Sequence, residues 1–334
     1  MAQVEAMYYE PIDDTIIHCM LCPHHCKLKD TQTGLCRVRT NEAGVLMTSN
    51  HGEISSLALD PIEKKPLFHF YPGSNILSAG SFGCNLACSF CQNYTIAHGK
   101  PATRFMEPNS LVELNQTMSC SHSSIGMAFT YNEPSSWYEY IIAAAPLLKD
   151  QGLKTVLVTN GYIEKEPLKK LLPYIDAFNI DVKAFNEHFY PELCKGHLKA
   201  VKNTVESVIG KTHVEVTTLL IPGKNDGEQE IRELAGWLAS LDKGLVLHLS
   251  KYYPAHNLDL PPTPESTIIK AQQIAKEYLN FVYTGNLPGE ENNTYCLNCS
   301  NLLIQRNAYH IKVSGIKEGR CSSCLSKINY IKGL

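Results

Sequence analysis

From residue 76 onward, apolar runs of strand length alternate with polar turns and helix-patterned stretches at intervals of about thirty residues, the length of a βα unit. Few folds accommodate that rhythm. The runs at 76–80, 125–130, 155–159, 177–182, 214–221, 245–249 and 281–283 are expected as strands, and unbroken ones such as Val156-Leu157-Val158 suit parallel strands buried on both faces. Helices are expected at 135–148 and 227–241. A third has Thr263 as N-cap, Pro264 at its first position, and an apolar stripe of Ile268, Ile269, Ala271, Ala275, Tyr278 and Leu279. The alternation predicts an α/β barrel or open barrel of about six strands.

Such folds place their working groups at the C-terminal ends of the strands. Those ends carry Tyr131-Asn132-Glu133-Pro134, Asn160-Gly161, Asp181 with Lys183, Pro222-Gly223-Lys224-Asn225-Asp226, and His248-Leu249-Ser250-Lys251. Each has a plain structural reading: Asn160-Gly161 and Pro222-Gly223 are common turn pairs, and His248 in an apolar strand is by default a satisfied core histidine. Asp181 and Lys183, two apart on one strand face, could pair with each other. Their joint placement at one mouth is what suggests a site for a zwitterionic ligand with a ribose and an adenine.

The first strand runs into Gly83-Cys84-Asn85-Leu86-Ala87-Cys88-Ser89-Phe90-Cys91-Gln92-Asn93. The C-x3-C-x2-C spacing aims three thiolates at one centre and leaves a fourth position without a protein ligand. Iron–sulfur cubanes are usually held by four thiolates, so three suggest one iron kept for a substrate or cofactor. The competing reading is a zinc knuckle or three unrelated buried cysteines, although zinc normally takes a complete set of four ligands.

Eleven of the 13 cysteines fall in three clusters. Cys19, Cys22, Cys26 and Cys36 can close a complete site, with Pro23 and Gly34 in the turns; their metal is zinc or a second cluster, and a closed structural site is favoured. Near the other terminus, Cys296-x2-Cys299 and Cys321-x2-Cys324 form a zinc-ribbon signal, with a rubredoxin-type iron site as competitor. Strand-like runs at 302–304 and 309–311 lie between the two knuckles. The ribbon would fold a segment with too few residues for a core of its own. Cys120 and Cys194 stand alone and read as small buried apolar residues.

The remaining stretches set limits. Short strands are expected at 44–47 and 54–59, and the three prolines of 60–73 argue for an ordered loop, either a connector or a wall of the cluster mouth. A net charge of −3 carries no footprint for nucleic acid or an anionic membrane. Residues 1–14 lack the apolar core of a signal peptide, and the longest apolar run, 140–148, contains Pro146 and is too short to span a bilayer. A cytoplasmic protein is expected. That compartment disfavours disulfides, so clustered cysteines are read as metal ligands.

Taken together, residues 19–26 with 34–39, 60–73, 83–93, 130–134, 158–161, 220–226, 248–254, 261–264 and 283–289, followed by the ribbon, resemble the AmmeMemoRadiSam-system radical S-adenosylmethionine (SAM) proteins. That family is related to pyruvate formate-lyase activating enzymes. The resemblance implies a radical SAM partial (βα)6 barrel over 74–289, preceded by an N-terminal metal-knuckle unit over 1–73 and followed by a rubredoxin-like zinc ribbon over 290–334. It implies a 4Fe-4S cluster on Cys84, Cys88 and Cys91, with SAM contacts from Phe90, Asn132, Glu133, Asn160, Asp181, Lys183 and His248. It also implies zinc, a flavodoxin- or ferredoxin-type electron donor, and AMMECR-domain and Memo-domain partners. Two positions depart from the activating enzymes: Tyr131-Asn132 stands where relatives carry two glycines, and Val158 where they carry an aspartate.

The activity implied is reductive cleavage of SAM to a 5′-deoxyadenosyl radical that abstracts hydrogen from an unidentified substrate. The alternatives are activation of a glycyl-radical enzyme and, outside enzymes, an iron–sulfur scaffold or electron carrier. No side chain is assigned as catalytic.

Overall fold

The computed structural model describes residues 3–287 and 292–334. The domain boundary expected at 289/290 lies outside the described residues. All seven expected strands form one sheet, in the order Phe281–Gly285, Val246–Lys251, His213–Leu220, Ala177–Asp181, Lys154–Thr159, Ser124–Phe129, Asn75–Gly80. Every pair within this set is parallel. Sequence neighbours are sheet neighbours throughout, as successive βα units require.

Seven parallel strands stand where the barrel reading gave about six, and the sheet has an eighth member. Ser56–Pro61, expected in the N-terminal unit, pairs antiparallel with Asn75–Gly80 and forms the outer edge. Pro61 sits at its end, where a missing N–H costs no ladder bond. The main sheet therefore begins before residue 74.

Helices Pro108–His122, Tyr138–Asp150, Lys165–Leu171, Leu198–Val208, Glu228–Leu241 and Glu265–Lys276 connect the strands. Leu198–Val208 buries Leu198, Val201, Val205 and Val208, the three-and-four spacing that puts one helical stripe on the sheet. The helix expected from 135 starts with a 3-10 turn, Pro134–Trp137. At the last helix the expected cap is wrong. Thr263 lies before the helix, donating its hydroxyl to Leu220 O at 2.5 Å and accepting from Tyr252 N at 3.0 Å; tertiary partners took the hydroxyl that an N-cap would have used.

The inner face of the sheet is polar at its middle. Asn179 and Asp181, Glu215 and Thr217, His248 and Ser250 alternate along their strands and so share one side. The loop at 62–73 enters there: Phe68 N and His69 N donate to the Glu215 carboxylate at 2.9 and 2.7 Å, and Asn179 Nδ2 donates to Pro66 O at 2.8 Å. The C-terminal segment also holds the loop, with Arg306 Nη2 donating to Phe68 O at 2.6 Å and Lys332 N to His69 O at 2.8 Å. Two small antiparallel sheets carry the N-terminal cysteines, one from Tyr9–Pro11, Ile16–Cys19 and Lys27–Lys29, the other from Val4–Glu5, Val45–Thr48 and Arg39–Glu42. No helix among the described residues is long and apolar enough to cross a membrane.

Candidate active site and metal centres

The turn after Asn75–Gly80 is shaped by two residues. Gly83 has φ +89°, and a Cβ there would lie 2.5 Å from Val38 Cγ1 and 2.8 Å from Cys36 O. Only glycine fits that approach. Asn132, at the end of the neighbouring strand, accepts from Ser81 N at 2.9 Å and donates to Gly83 O at 3.0 Å, pinning both sides of the turn. Farther along, Ala87 N and Ser89 N donate to Cys194 O and Leu193 O at 2.9 and 2.8 Å. The loop is thus held by backbone as well as by side chains.

Cys84, Cys88 and Cys91 line one cavity of about 320 Å³. Of the residues expected to join them, Phe90, Asn132, Glu133, Asn160, Asp181 and Lys183 all line it as well. Ser250, from the strand end at 248–251, lines it too, whereas strand-end reasoning missed Thr217, Leu219 and Asn286. Period-two alternation along 213–220 could have indicated Thr217; nothing in the local sequence marked Asn286.

The polar residues are already bonded to one another. Glu133 Oε1 accepts from Ser135 N at 2.9 Å and Thr159 Oγ1 at 2.7 Å, and Oε2 accepts from Asn160 N at 2.8 Å. Burial pushes its pKa up against those three donors. Asn160 Nδ2 donates to Asn85 Oδ1 at 2.9 Å and lies 3.7 Å from Cys84 Sγ. The turn pair is therefore also a strut for the cysteine loop. Lys183 Nζ donates to Asp181 Oδ2 at 2.8 Å. Burial pulls the ammonium's pKa down, but the Asp181 carboxylate outweighs it, and Lys183 stays charged.

His248 is not at this mouth. It is 2% exposed, places Nε2 2.7 Å from Glu215 Oε2, and meets the Phe68 ring edge-on at 4.7 Å. The strand turns Ser250, one pleat farther on, toward the cavity instead. A carboxylate buried among apolar rings needs donors, and Glu215 claims the histidine. Loop 60–73 does reach the site, since Pro66 lines the cavity.

The two other cysteine sets differ in spacing. In the C-terminal set, Sγ of Cys296 is 3.7 Å from that of Cys324, Cys299 is 3.7 Å from Cys321, and all four lie within 4.8 Å of one another. Tetrahedral ligands at the Zn–S length of about 2.3 Å stand about 3.8 Å apart. Among the described residues this set alone brings three or more such ligand atoms that close. Cys19, Cys22, Cys26 and Cys36 instead surround a cavity together with Arg39, Asn85 and Ser136. Cys120 is exposed and Cys194 is buried behind Cys88.

Three thiols that face a common cavity without closing on a single small ion, beside an ion pair, amides and an aromatic ring, fit a cubane that carries an additional bidentate ligand. The comparisons with known proteins agree. The family model of the radical SAM superfamily matches residues 80–235. The uncharacterized protein MJ0808 of Methanocaldococcus jannaschii is 40% identical over 98% of this chain and 99% of its own. The pyruvate formate-lyase-activating enzyme of Clostridium pasteurianum is 27% identical over 51% of this chain and 72% of its own. MJ1632 of M. jannaschii, provisionally named a glycyl-radical enzyme activating enzyme, is 31% identical over 60% and 77%. A radical SAM methyltransferase from Sphaerobacter thermophilus shares the fold at a TM-score of 0.51, with 16% identity over 85% of this chain and 75% of that one. With three cysteines at the first strand end and these relatives, the chain belongs to the radical SAM superfamily, is related to the glycyl-radical activating enzymes, and is a radical SAM enzyme whose family implies a 4Fe-4S cluster and SAM.

Proposed function

We propose that the chain is the radical SAM enzyme of an AmmeMemoRadiSam system and acts on a substrate presented by a partner carrying an AMMECR or Memo domain. Cys84, Cys88 and Cys91 would hold a 4Fe-4S cluster, which together with SAM would supply the reducing electron and the radical chemistry for removing hydrogen from a substrate. The observation that carries this reading is the composition of one cavity: three thiols and residues from seven successive strand ends, Cys84 through Asn286. A sheet whose seven strand ends reach one cavity must curve around it, which supports a partial barrel.

The chain's own residues do the positioning. Asn132 and Asn160 hold the cysteine turn, Glu133 ties two strand ends together, and the Asp181–Lys183 pair offers both charges to a zwitterion. Phe90 is buried against the cavity and supplies an apolar wall for an adenine, which also excludes water. The C-terminal cysteines hold zinc, as their 3.7 Å spacing favours, and the ribbon clamps loop 62–73. We assign units 1–73, 74–289 and 290–334, the first lending its strand Ser56–Pro61 to the sheet of the second. The electron donor is a flavodoxin- or ferredoxin-type protein.

The test is anaerobic reconstitution, reduction with dithionite, and detection of 5′-deoxyadenosine. Product from the native chain and none from Cys84→Ala supports the reading; equal product from both sinks it, and no product from either leaves the carrier alternative standing. Relatedness to the activating enzymes favours a second reading, abstraction from a backbone glycine. Deuterium passing from a glycine-labelled peptide into 5′-deoxyadenosine would single it out.

A further inference from the structure

We propose that Cys19, Cys22, Cys26 and Cys36 hold a second iron–sulfur cluster, not zinc, and that this centre is in electronic contact with the Cys84 loop. The four cysteines point at one enclosed space, yet no three of their sulfurs come within 4.8 Å of one another. In the same molecule the ribbon cysteines collapse to 3.7 Å, the edge of a zinc tetrahedron. The N-terminal thiols surround a shared enclosed space without closing on one point, as ligands distributed over the corners of a cluster do.

A buried cation lies beside the same sulfurs. Arg39, 1% exposed, sets Nη1 3.8 Å from Cys19 Sγ, and its buried Nε has no partner. A buried guanidinium held in place by Glu139 offsets the negative charge of a thiolate-bound cluster.

The site also touches Cys84 from both sides. Gly83 abuts Cys36 O, and Asn85 lines the N-terminal cavity while accepting at its carbonyl from His24 Nε2 at 2.6 Å. Of the residues flanking Cys84, Asn85 is thus a wall of the other site, and Gly83 packs against the backbone of one of its cysteines. The centre would take one electron from a flavodoxin- or ferredoxin-type carrier and give one up, returning to its oxidised state as the neighbouring site is reduced by one. This transfer rests on the radical SAM reading of Cys84; the presence of the cluster does not.

The experiment uses full-length chain reconstituted anaerobically with iron-57 and sulfide. The variant Cys84→Ala/Cys88→Ala/Cys91→Ala should keep about four irons, with a cluster-type Mössbauer signal and a reduced EPR signal insensitive to SAM. Adding Cys22→Ala and Cys36→Ala to it should remove that iron. Native chain should hold about eight irons, one cluster responding to SAM and one not, with a reduced EPR spectrum broader than the sum of the separate centres. Two zincs and no iron in the triple variant, or four irons that all respond to SAM in native chain, would overturn the proposal. Unbroadened spectra with eight irons would overturn the electronic contact. If no iron in native chain responds to SAM while the triple variant keeps its cluster, the radical SAM reading fails and the second cluster stands.

Discussion

His248 Nε2 donates to Glu215 Oε2 at 2.7 Å inside the sheet, beneath the cysteine-lined cavity. The same carboxylate accepts from His69 N at 2.7 Å, Phe68 N at 2.9 Å and His213 Nε2 at 2.9 Å, so one buried anion ties two neighbouring strands to the entering loop. Burial opposes ionisation, but the two histidines hold its pKa well below the carboxylate range. Glu215→Gln puts a donor among donors and should cost on the order of 3 kcal/mol of stability. Calorimetry checks this. His248→Gln should leave SAM affinity near the native value, since the ring does not reach the cavity.

Acid sensitivity follows from two groups with one sign. A depressed carboxylate contributes stability above its ordinary value of 4.5, and that stability is lost as pH falls below it. His69, driven down to about 3 by burial, stays neutral when folded, whereas an unfolded histidine takes up protons below about 6.5. The melting temperature should therefore fall from pH 6.5 downward, and more steeply below 4.5. A Glu215→Gln chain should lose the second part of that slope; an unchanged profile would count against the carboxylate's role.

Gly83→Ala should damage the loop. The positive φ alone costs on the order of 1 kcal/mol for an alanine, and the added methyl meets Val38 Cγ1 at 2.5 Å. The expected result is a lower melting temperature and reduced iron at Cys84, Cys88 and Cys91. Val38→Ala in the same chain should restore part of both, because it removes the nearest clash but not the strained φ.

Glu133→Gln should weaken SAM binding without emptying the site of iron. Its amide faces Asn160 N, losing one hydrogen bond worth about 1 kcal/mol, and Asn160 then holds Asn85 less firmly. A loss of affinity of about tenfold corresponds to about 1.4 kcal/mol. Titration of the reduced EPR signal with SAM measures it, alongside the iron content.

Cys299→Ser should remove one zinc and loosen the C-terminal segment. The buried apolar cluster there is small, built around Leu303, Ile304, Ile328 and Ile331 with two of the cysteines, so the zinc proposed for that site would carry much of its folding. Limited proteolysis should cut residues 292–334 in the variant first, while iron at the other cysteines is retained.

The cysteine sets, the seven parallel strands and most of the cavity lining were legible in the sequence, because each rests on local pattern. Three thiols within eight residues can only serve one loop, apolar runs at βα intervals can only stack as a parallel sheet, and polar residues just past such strands fall at one end. What sequence could not decide was long-range competition for buried polar groups. His248 and Thr263 looked like site and cap, and the fold gave them to Glu215 and Leu220 O; both partners lie more than thirty residues away. Asn132 and Asn160 looked like ligand contacts or turns, and tertiary contacts made them struts of the Cys84 loop. Spacing marked the C-terminal cysteines as a zinc-ribbon signal but left the N-terminal set open between zinc and a second cluster. Only the folded chain separated them, because the distance between sulfurs depends on the backbone that carries them: the ribbon draws its four together, and the small N-terminal sheets hold theirs apart around a void.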